Sequence, residues 1–159
     1  GHLVVDLHGA DCPGDCPGHG CLEVVASGSA IGLAGEAAGG ERPDSPIGRR
    51  LAAGEQVSGQ YVTELAHSGD EAAVAALAAV GRRLGAGLVG LVNVFNPEVI
   101  VIGGGAVAAG ELLLGPAREE VAKYALPPSR EAVRIVPAHF GDESGMVGAA
   151  LFALDRGEG

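Results

Sequence analysis

Apolar residues recur at three- and four-residue spacing through the segment from Asp70 to Phe95. This spacing lines up one face of an α-helix, and the face consists of Val74, Leu77, Val80, Leu84, Leu88, Leu91 and Phe95. Asp70 is a predicted N-cap, and Asn96-Pro97 is a predicted stop. The segment is therefore predicted to be a long helix with a buried face. Each glycine inside it costs about 1 kcal/mol relative to alanine, so we expect close packing at Gly81, Gly85, Gly87 and Gly90.

The same apolar spacing predicts further helices on both sides of this segment. Their predicted ranges are 22–38, 46–52, 56–67 and 109–124, followed by a last helix that Ser144 caps. Pro46 can open the second of them, because proline is tolerated at the first helical position. The chain is therefore expected to be rich in helix.

Three short apolar runs indicate β-strands, over residues 3–5, 98–102 and 133–136. The run 98–102 is continuous, as is typical of a strand buried on both faces of a sheet. Helix, strand, glycine turn, helix and strand follow one another along the second half of the chain. This order predicts an α/β fold.

Three glycines, Gly103, Gly104 and Gly105, follow the second predicted strand and precede a helix. A glycine turn at this place lets a ligand approach the backbone, as in nucleotide sites. The sequence lacks the Gly-Lys-Ser/Thr of a Walker A loop, which excludes that class of site. The alternative is a tight turn with no ligand.

The composition of the 159-residue chain favours one domain with a core of small aliphatic side chains, since hydrophobic residues make up 47% and aromatic ones 3%. The net charge of −10 opposes binding to nucleic acid and to anionic membranes. No apolar run is expected to reach the roughly 20 residues of a membrane span. The first residues lack the features of a signal peptide. The sequence therefore predicts a cytoplasmic protein that uses neither nucleic acid nor membrane.

All three cysteines lie in one glycine- and proline-rich segment, Cys12-Pro-Gly-Asp-Cys16-Pro-Gly-His-Gly-Cys21. Thiolates separated by tight turns can converge on a tetrahedral zinc ion. A fourth ligand could come from His2, His8 or His19. A closed set of four ligands favours a structural role for the metal. The alternatives are a disulfide with one spare thiol, or three unrelated thiols.

Several motifs together resemble the ROK family of bacterial sugar kinases and repressors, and within it the glucokinases. They are Gly1-His2, Gly20-Cys21-Leu22-Glu23, Ser68-Gly69-Asp70, Leu84-Gly85, Asn93-Val-Phe-Asn-Pro97-Glu-Val-Ile-Val-Ile-Gly-Gly-Gly105 and Ser144-Gly-Met-Val-Gly-Ala-Ala150. The resemblance implies an actin-like ATPase, ribonuclease H-like α/β fold with a zinc loop over residues 1–23 and the α/β body over 24–159. It extends over nearly the whole chain and implies the C-terminal lobe of a longer protein, which in this family is commonly a homo-oligomer.

Carried over by position, the resemblance implies a structural zinc on His2, Cys12, Cys16 and Cys21. It implies that His2 and Glu23 hold hydroxyls of a hexose, expected to be glucose, and that Gly103, Gly104 and Gly105 contact the adenosine of ATP. Three residues separate Cys12 from Cys16 where the family more often has one, so Cys12 is the least certain of these ligands. For Glu23 the alternative is a solvated acid in the first turn of a helix.

A hexose kinase also needs a general base, a phosphate-binding turn and a magnesium site, and the resemblance implies that these lie outside this chain. No catalytic residue is assigned here, and the chain alone is expected not to transfer phosphate. Two alternatives have other functions: the effector domain of a sugar-responsive ROK repressor, and a zinc-stabilised module that binds a nucleotide or a partner.

Overall fold

The computed structural model describes residues 1–157, and helices dominate it. The α-helices are α1 (Leu22–Val25), α2 (Gly28–Glu41), α3 (Pro46–Ala52), α4 (Gly59–His67), α5 (Glu71–Phe95), α6 (Glu111–Tyr124), α7 (Ser129–Ala132) and α8 (Ser144–Gly157). The strands are β1 (Val99–Ile102) and β2 (Arg134–Pro137), and 3-10 turns occupy Gly105–Ala109 and Gly141–Glu143. The α/β prediction is thus confirmed in a helix-rich form.

The long helix α5 is the centre of the core, and α2, α4 and α6 pack around it. The predicted apolar face is confirmed along most of its length, since Leu77, Val80 and Leu88 are almost fully buried. Asp70 is the N-cap, and its carboxylate accepts a hydrogen bond of 2.9 Å from the backbone N–H of Ala73. Phe95 departs from the prediction: the helix extends past the core there, and this side chain is 72% exposed.

Helix α5 also corrects the expectation that no segment could span a membrane. By length and composition alone its 25 residues could do so. Half of its most apolar stretch, however, is buried inside the protein. The core helix of a soluble protein can be equally long and apolar, so this finding is weak evidence that α5 spans a membrane.

Close packing at the glycines of α5 is confirmed at three of the four positions. A Cβ on Gly81 would collide with the carbonyl oxygen of Leu113, and one on Gly85 would lie 2.6 Å from that of Ala117. These contacts let the backbones of α5 and α6 approach closely. Gly87 packs on the side chain of Leu22. At Gly90 the expectation is wrong, because no atom beyond its own helix lies within 4 Å of a built Cβ.

Strands β1 and β2 pair in parallel, with Val99 opposite Arg134 and Ile102 opposite Pro137. Ile100 and Ile102 pack against the core. The prediction that β1 is buried on both faces is wrong for this chain, because Val101 on the other face is 60% exposed. Within residues 1–157 no helix covers this second face of β1 closely enough to bury it.

Local backbone chemistry moves several predicted boundaries. The predicted helix 22–38 is two helices, because Ser27 accepts a hydrogen bond from the N–H of Ala30 and caps α2. Ser58 in the same way caps α4, which therefore begins at Gly59 rather than at 56. A 3-10 turn precedes α6, which begins at Glu111 rather than at 109. The predicted strand 3–5 contributes a single bridge, from Val4 to Cys21.

Replacing Asp70 by alanine is expected to lower the free energy of unfolding by about 1 kcal/mol, because the side chain satisfies an otherwise unpaired N–H at the start of α5. Urea unfolding followed by circular dichroism would measure this. Asp70→Asn keeps a capping oxygen and should lose much less. Equal losses in the two variants would contradict a capping role.

Candidate functional site

The cysteine segment folds back on itself through backbone hydrogen bonds. The N–H groups of Val5 and Asp6 both donate to the carbonyl of Gly20, and Asp11 pairs with His19 in an antiparallel bridge. Gly20 has a φ of +60°, and a Cβ there would collide with the carbonyl of Asp6. Glycine is therefore required at this position, which directly precedes Cys21.

The fold brings four predicted metal ligands to one point. The ligand atoms of His2, Cys12, Cys16 and Cys21 all lie within 4.8 Å of one another. Nδ1 of His2 is 3.4 Å from Sγ of Cys12. The other two candidate histidines lie apart from this group, and Nε2 of His19 is 3.0 Å from the carbonyl oxygen of Leu7 instead. The structure thus selects His2 from the three histidines that the sequence left open.

The protein environment shifts the pKa values of two of these thiols in opposite directions. Burial raises the pKa of the Cys12 thiol to about 12, and the neighbouring sulfurs of Cys16 and Cys21 add to the rise. The pKa of Cys16 is lowered, chiefly because the backbone N–H of Gly18 donates a hydrogen bond to its sulfur. Without a cation, the cluster therefore favours a protonated Cys12 beside a more acidic Cys16.

The donor set fits a zinc ion. All three cysteines are free rather than paired in a disulfide. Three thiolates and one imidazole are a common structural zinc set, in which a Zn–S distance near 2.3 Å places the sulfurs about 3.8 Å apart. The observed spread of ligand atoms, up to 4.8 Å, would need only a small contraction. Four protein ligands would leave no open position on the metal.

Glu23 lies beside the first two residues of the chain. It is exposed and sits in the first turn of α1, and its backbone N–H donates a 2.8 Å hydrogen bond to the carbonyl of Gly1. A Cβ built on Gly1 would be 2.9 Å from a carboxylate oxygen of Glu23. The carboxylate therefore adjoins the segment that contains His2.

A second feature is a cavity of about 550 Å³ that α2, α4 and the 3-10 turn after β1 enclose. Its walls come from the starts of α2 and α4, from one side of α4 and from the 3-10 turn after β1. Gly105 lines it, whereas Gly103 and Gly104 do not. Gly104 has a φ of +87°, a backbone conformation that favours glycine. Of the three predicted glycines, one therefore borders a space of ligand size.

Sequence reasoning missed the α4 wall of this cavity. Its polar side chains are Gln60, Thr63, Glu64 and His67. Gln60 and Glu64 are four residues apart and share a helix face, and a 2.9 Å hydrogen bond links them. That polar spacing was visible in the sequence, but it looks the same as an ordinary solvated face. What distinguishes the two is the 3-10 turn Gly105–Ala109, which lines the same cavity although it is about 40 residues away.

The chain is similar to several known proteins. The ROK family model matches residues 1–156. A glucokinase from Thermotoga maritima is 32% identical over 98% of this chain and 49% of its own length. A ROK family glucokinase from Streptomyces griseus, solved in complex with glucose and AMPPNP, superposes with a TM-score of 0.83 at 30% identity, over 96% of this chain and 49% of that one. A ROK family transcriptional regulator, a homologue of the Escherichia coli MLC protein, gives a TM-score of 0.71 at 31% identity, over 86% and 33%.

The chain spans about half the length of the glucokinase relatives that it matches. Its structural neighbours have the actin-like fold of ATPases and sugar kinases, as the family resemblance implied. The family match covers nearly every residue that the structure describes. The protein is a member of the ROK family.

Proposed function

We propose that this chain is the C-terminal lobe of an ATP-dependent hexose kinase, with glucose as the substrate. One observation supports it above the others: the chain superposes over 96% of its length on a glucokinase solved with glucose and AMPPNP. Within the chain, the Glu23 carboxylate and the cavity at Gly105 supply two separate places for two substrates. The parent reaction would transfer the γ-phosphoryl group of ATP to a hexose hydroxyl, largely by positioning and charge neutralisation.

A structural zinc on His2, Cys12, Cys16 and Cys21 would serve the sugar site indirectly. The bridge from Val4 to Cys21 joins the metal cluster to the start of α1, where Glu23 follows two residues later. A bound zinc would thus hold the backbone that orients this carboxylate. His2 would both bind the metal and face the sugar.

The proposed role of Glu23 follows from its charge and its position. A carboxylate can accept hydrogen bonds from two neighbouring hydroxyls of a sugar. Glu23 is exposed to solvent, so a ligand can reach this residue.

The exposed second face of β1 supports the proposal that this lobe belongs to a larger protein. Parallel strands are normally covered on both faces, and two strands are fewer than a stable sheet needs. Val99 and Val101 are exposed on that face, and α8 carries exposed Met146, Leu151 and Leu154. We expect the rest of the protein to cover these side chains and to carry the general base and the phosphate-binding turn. Cytoplasmic location and assembly into a homo-oligomer remain predictions from the sequence.

The second candidate is the effector-binding lobe of a ROK repressor, and the match to a transcriptional regulator favours it. Such a lobe would bind a sugar without catalysis. The two candidates differ in what the cavity at Gly105 is for: a kinase needs it for a nucleotide, and a repressor lobe does not. Nucleotide binding and glucose-dependent ADP formation by the complete protein therefore separate them.

Replacing Glu23 by glutamine in the complete protein is expected to lower kcat/KM for glucose about 10- to 100-fold, because a charge-assisted hydrogen bond contributes about 1.5–3 kcal/mol. The KM for ATP should change little. A coupled assay of ADP formation measures both constants. Glu131→Gln, an exposed glutamate of α7, is the control and should match the wild type.

Absence of glucose-dependent ADP formation by the unaltered complete protein would overturn the kinase proposal. A normal kcat/KM in Glu23→Gln would overturn the role of this carboxylate and leave the kinase in place. The isolated chain of residues 1–159 should form no ADP under the same conditions.

A further inference from the structure

The charge of the cavity at Gly105 indicates which part of a nucleotide it could hold. None of its lining residues in the described chain is lysine or arginine, and its polar wall carries a glutamate. Phosphates require cationic or N–H-rich surroundings. The starts of α2 and α4 also line the cavity, but the N–H groups of Ala30 and Tyr61 there already donate to Ser27 and Ser58. A carboxylate repels phosphates, whereas it binds hydroxyl groups. The α4 side of the cavity therefore suits the uncharged nucleoside part of a ligand.

The hydrogen bonds of α4 indicate which side chain remains available to that ligand. The hydroxyl of Thr63 donates 2.8 Å to the carbonyl of Gly59 in its own helix. Nε2 of His67 is 3.5 Å from the carbonyl oxygen of Ala109. Glu64 differs from both. Its Oε1 accepts a 2.9 Å hydrogen bond from the side-chain amide of Gln60, whereas no group of the described residues donates to its Oε2.

We propose that Glu64 recognises the ribose of a nucleotide seated against Gly105, and that it thereby makes the site selective for ribonucleotides over 2′-deoxyribonucleotides. This inference rests on the proposed function, because it assigns the nucleoside end of the proposed ATP site. Gln60 acts as a positioning residue that holds one carboxylate oxygen. The other oxygen accepts from the ribose hydroxyls.

The same arrangement sets the direction in which the nucleotide binds. With the ribose at Glu64, electrostatic repulsion directs the phosphates away from α4. The cavity volume of about 550 Å³ lies within the range of small-molecule sites. Gly105 lines the same cavity, and no atom lies within 4 Å of a Cβ built on it. Helix α4 therefore determines which nucleotides bind, and the glycine turn leaves room for them.

The test compares the affinities of AMPPNP and 2′-deoxy-AMPPNP for the complete protein, measured by isothermal titration calorimetry. The wild type should bind the ribonucleotide about 10-fold more tightly, as expected for one charge-assisted hydrogen bond. Glu64→Gln should bind both nucleotides at the weaker level. Glu119→Gln, an exposed glutamate of α6 that does not line the cavity, should keep the wild-type preference.

The possible failures are distinguishable. Equal affinities of the wild type for the two nucleotides, or a preference that survives in Glu64→Gln, would overturn the inference and leave the proposed nucleotide site standing. No binding of either nucleotide by the wild type would overturn that site and the inference with it. Circular dichroism of Glu64→Gln confirms that the helix is folded, and Gln60→Ala provides a second variant, which should weaken the preference partially.

Discussion

Replacing Cys21 by serine is expected to abolish zinc binding and to unfold the segment that precedes α1. Cys21 is 1% exposed, occupies the N-cap position of α1 and pairs with Val4, so a proposed zinc ligand and the backbone fold meet at this residue. Structural zinc sites contribute about 10–16 kcal/mol of apparent binding energy. The core around α5 does not include this segment, so α2 to α6 should remain folded while the segment opens.

Elemental mass spectrometry and limited proteolysis measure the two effects. The wild type should contain about one zinc per chain and resist cleavage within residues 1–21. Cys21→Ser should contain none and be cleaved there. His2→Ala should also lose the metal, whereas His8→Ala should keep it, because the ring of His8 lies outside the cluster. A zinc-free wild type with reactive thiols, or retention of zinc in His2→Ala, would contradict the proposed ligand set.

Gly81→Ala is expected to destabilise the protein by about 1–3 kcal/mol, the usual cost of overpacking a close contact. The added Cβ would collide with the carbonyl oxygen of Leu113, and this atom belongs to the backbone of α6. Neither helix can yield by a side-chain rotation. The two most extensively packed helices of the fold would have to separate.

Gly90→Ala in the same helix is the matched control. Its Cβ would meet open space, so alanine should be neutral or should stabilise α5 by up to about 1 kcal/mol. Urea unfolding of the three proteins gives the two differences in the free energy of unfolding. A Gly81→Ala variant as stable as Gly90→Ala would show that α5 and α6 are not in close backbone contact.

The elements that local chemistry determines were predictable from the sequence. The core face of α5 follows from the apolar spacing, and its N-cap follows from Asp70. The starts of two helices were harder to predict, because a serine can continue a helix or cap one. In the structure Ser27 and Ser58 both cap helices. The exposure of β1 was not predictable, because an apolar strand has the same sequence whether or not its neighbours belong to the same chain.

The candidate site, too, was predictable from the sequence only in part. Cysteine spacing and tight turns predicted that the three cysteines converge, and the structure then distinguished His2 from His8 and His19 as their neighbour. The glycine turn after β1 was recognisable from its sequence. Its partner wall on α4 was not, because contacts between residues 60–67 and 105–108 depend on the tertiary fold. No local pattern encodes that proximity.

The uncovered face of β1 has a practical consequence for anyone who handles this chain by itself. In the described residues the sheet consists of β1 and β2 alone, so β1 also has an unpaired edge, which is a template on which another chain can pair. Val-Ile-Val-Ile is the kind of uncharged, β-branched run that promotes such pairing. The feature that would seat the lobe in a larger enzyme is thus an aggregation hazard for the free lobe, and dilute, cold storage or coexpression with the remaining half would protect it.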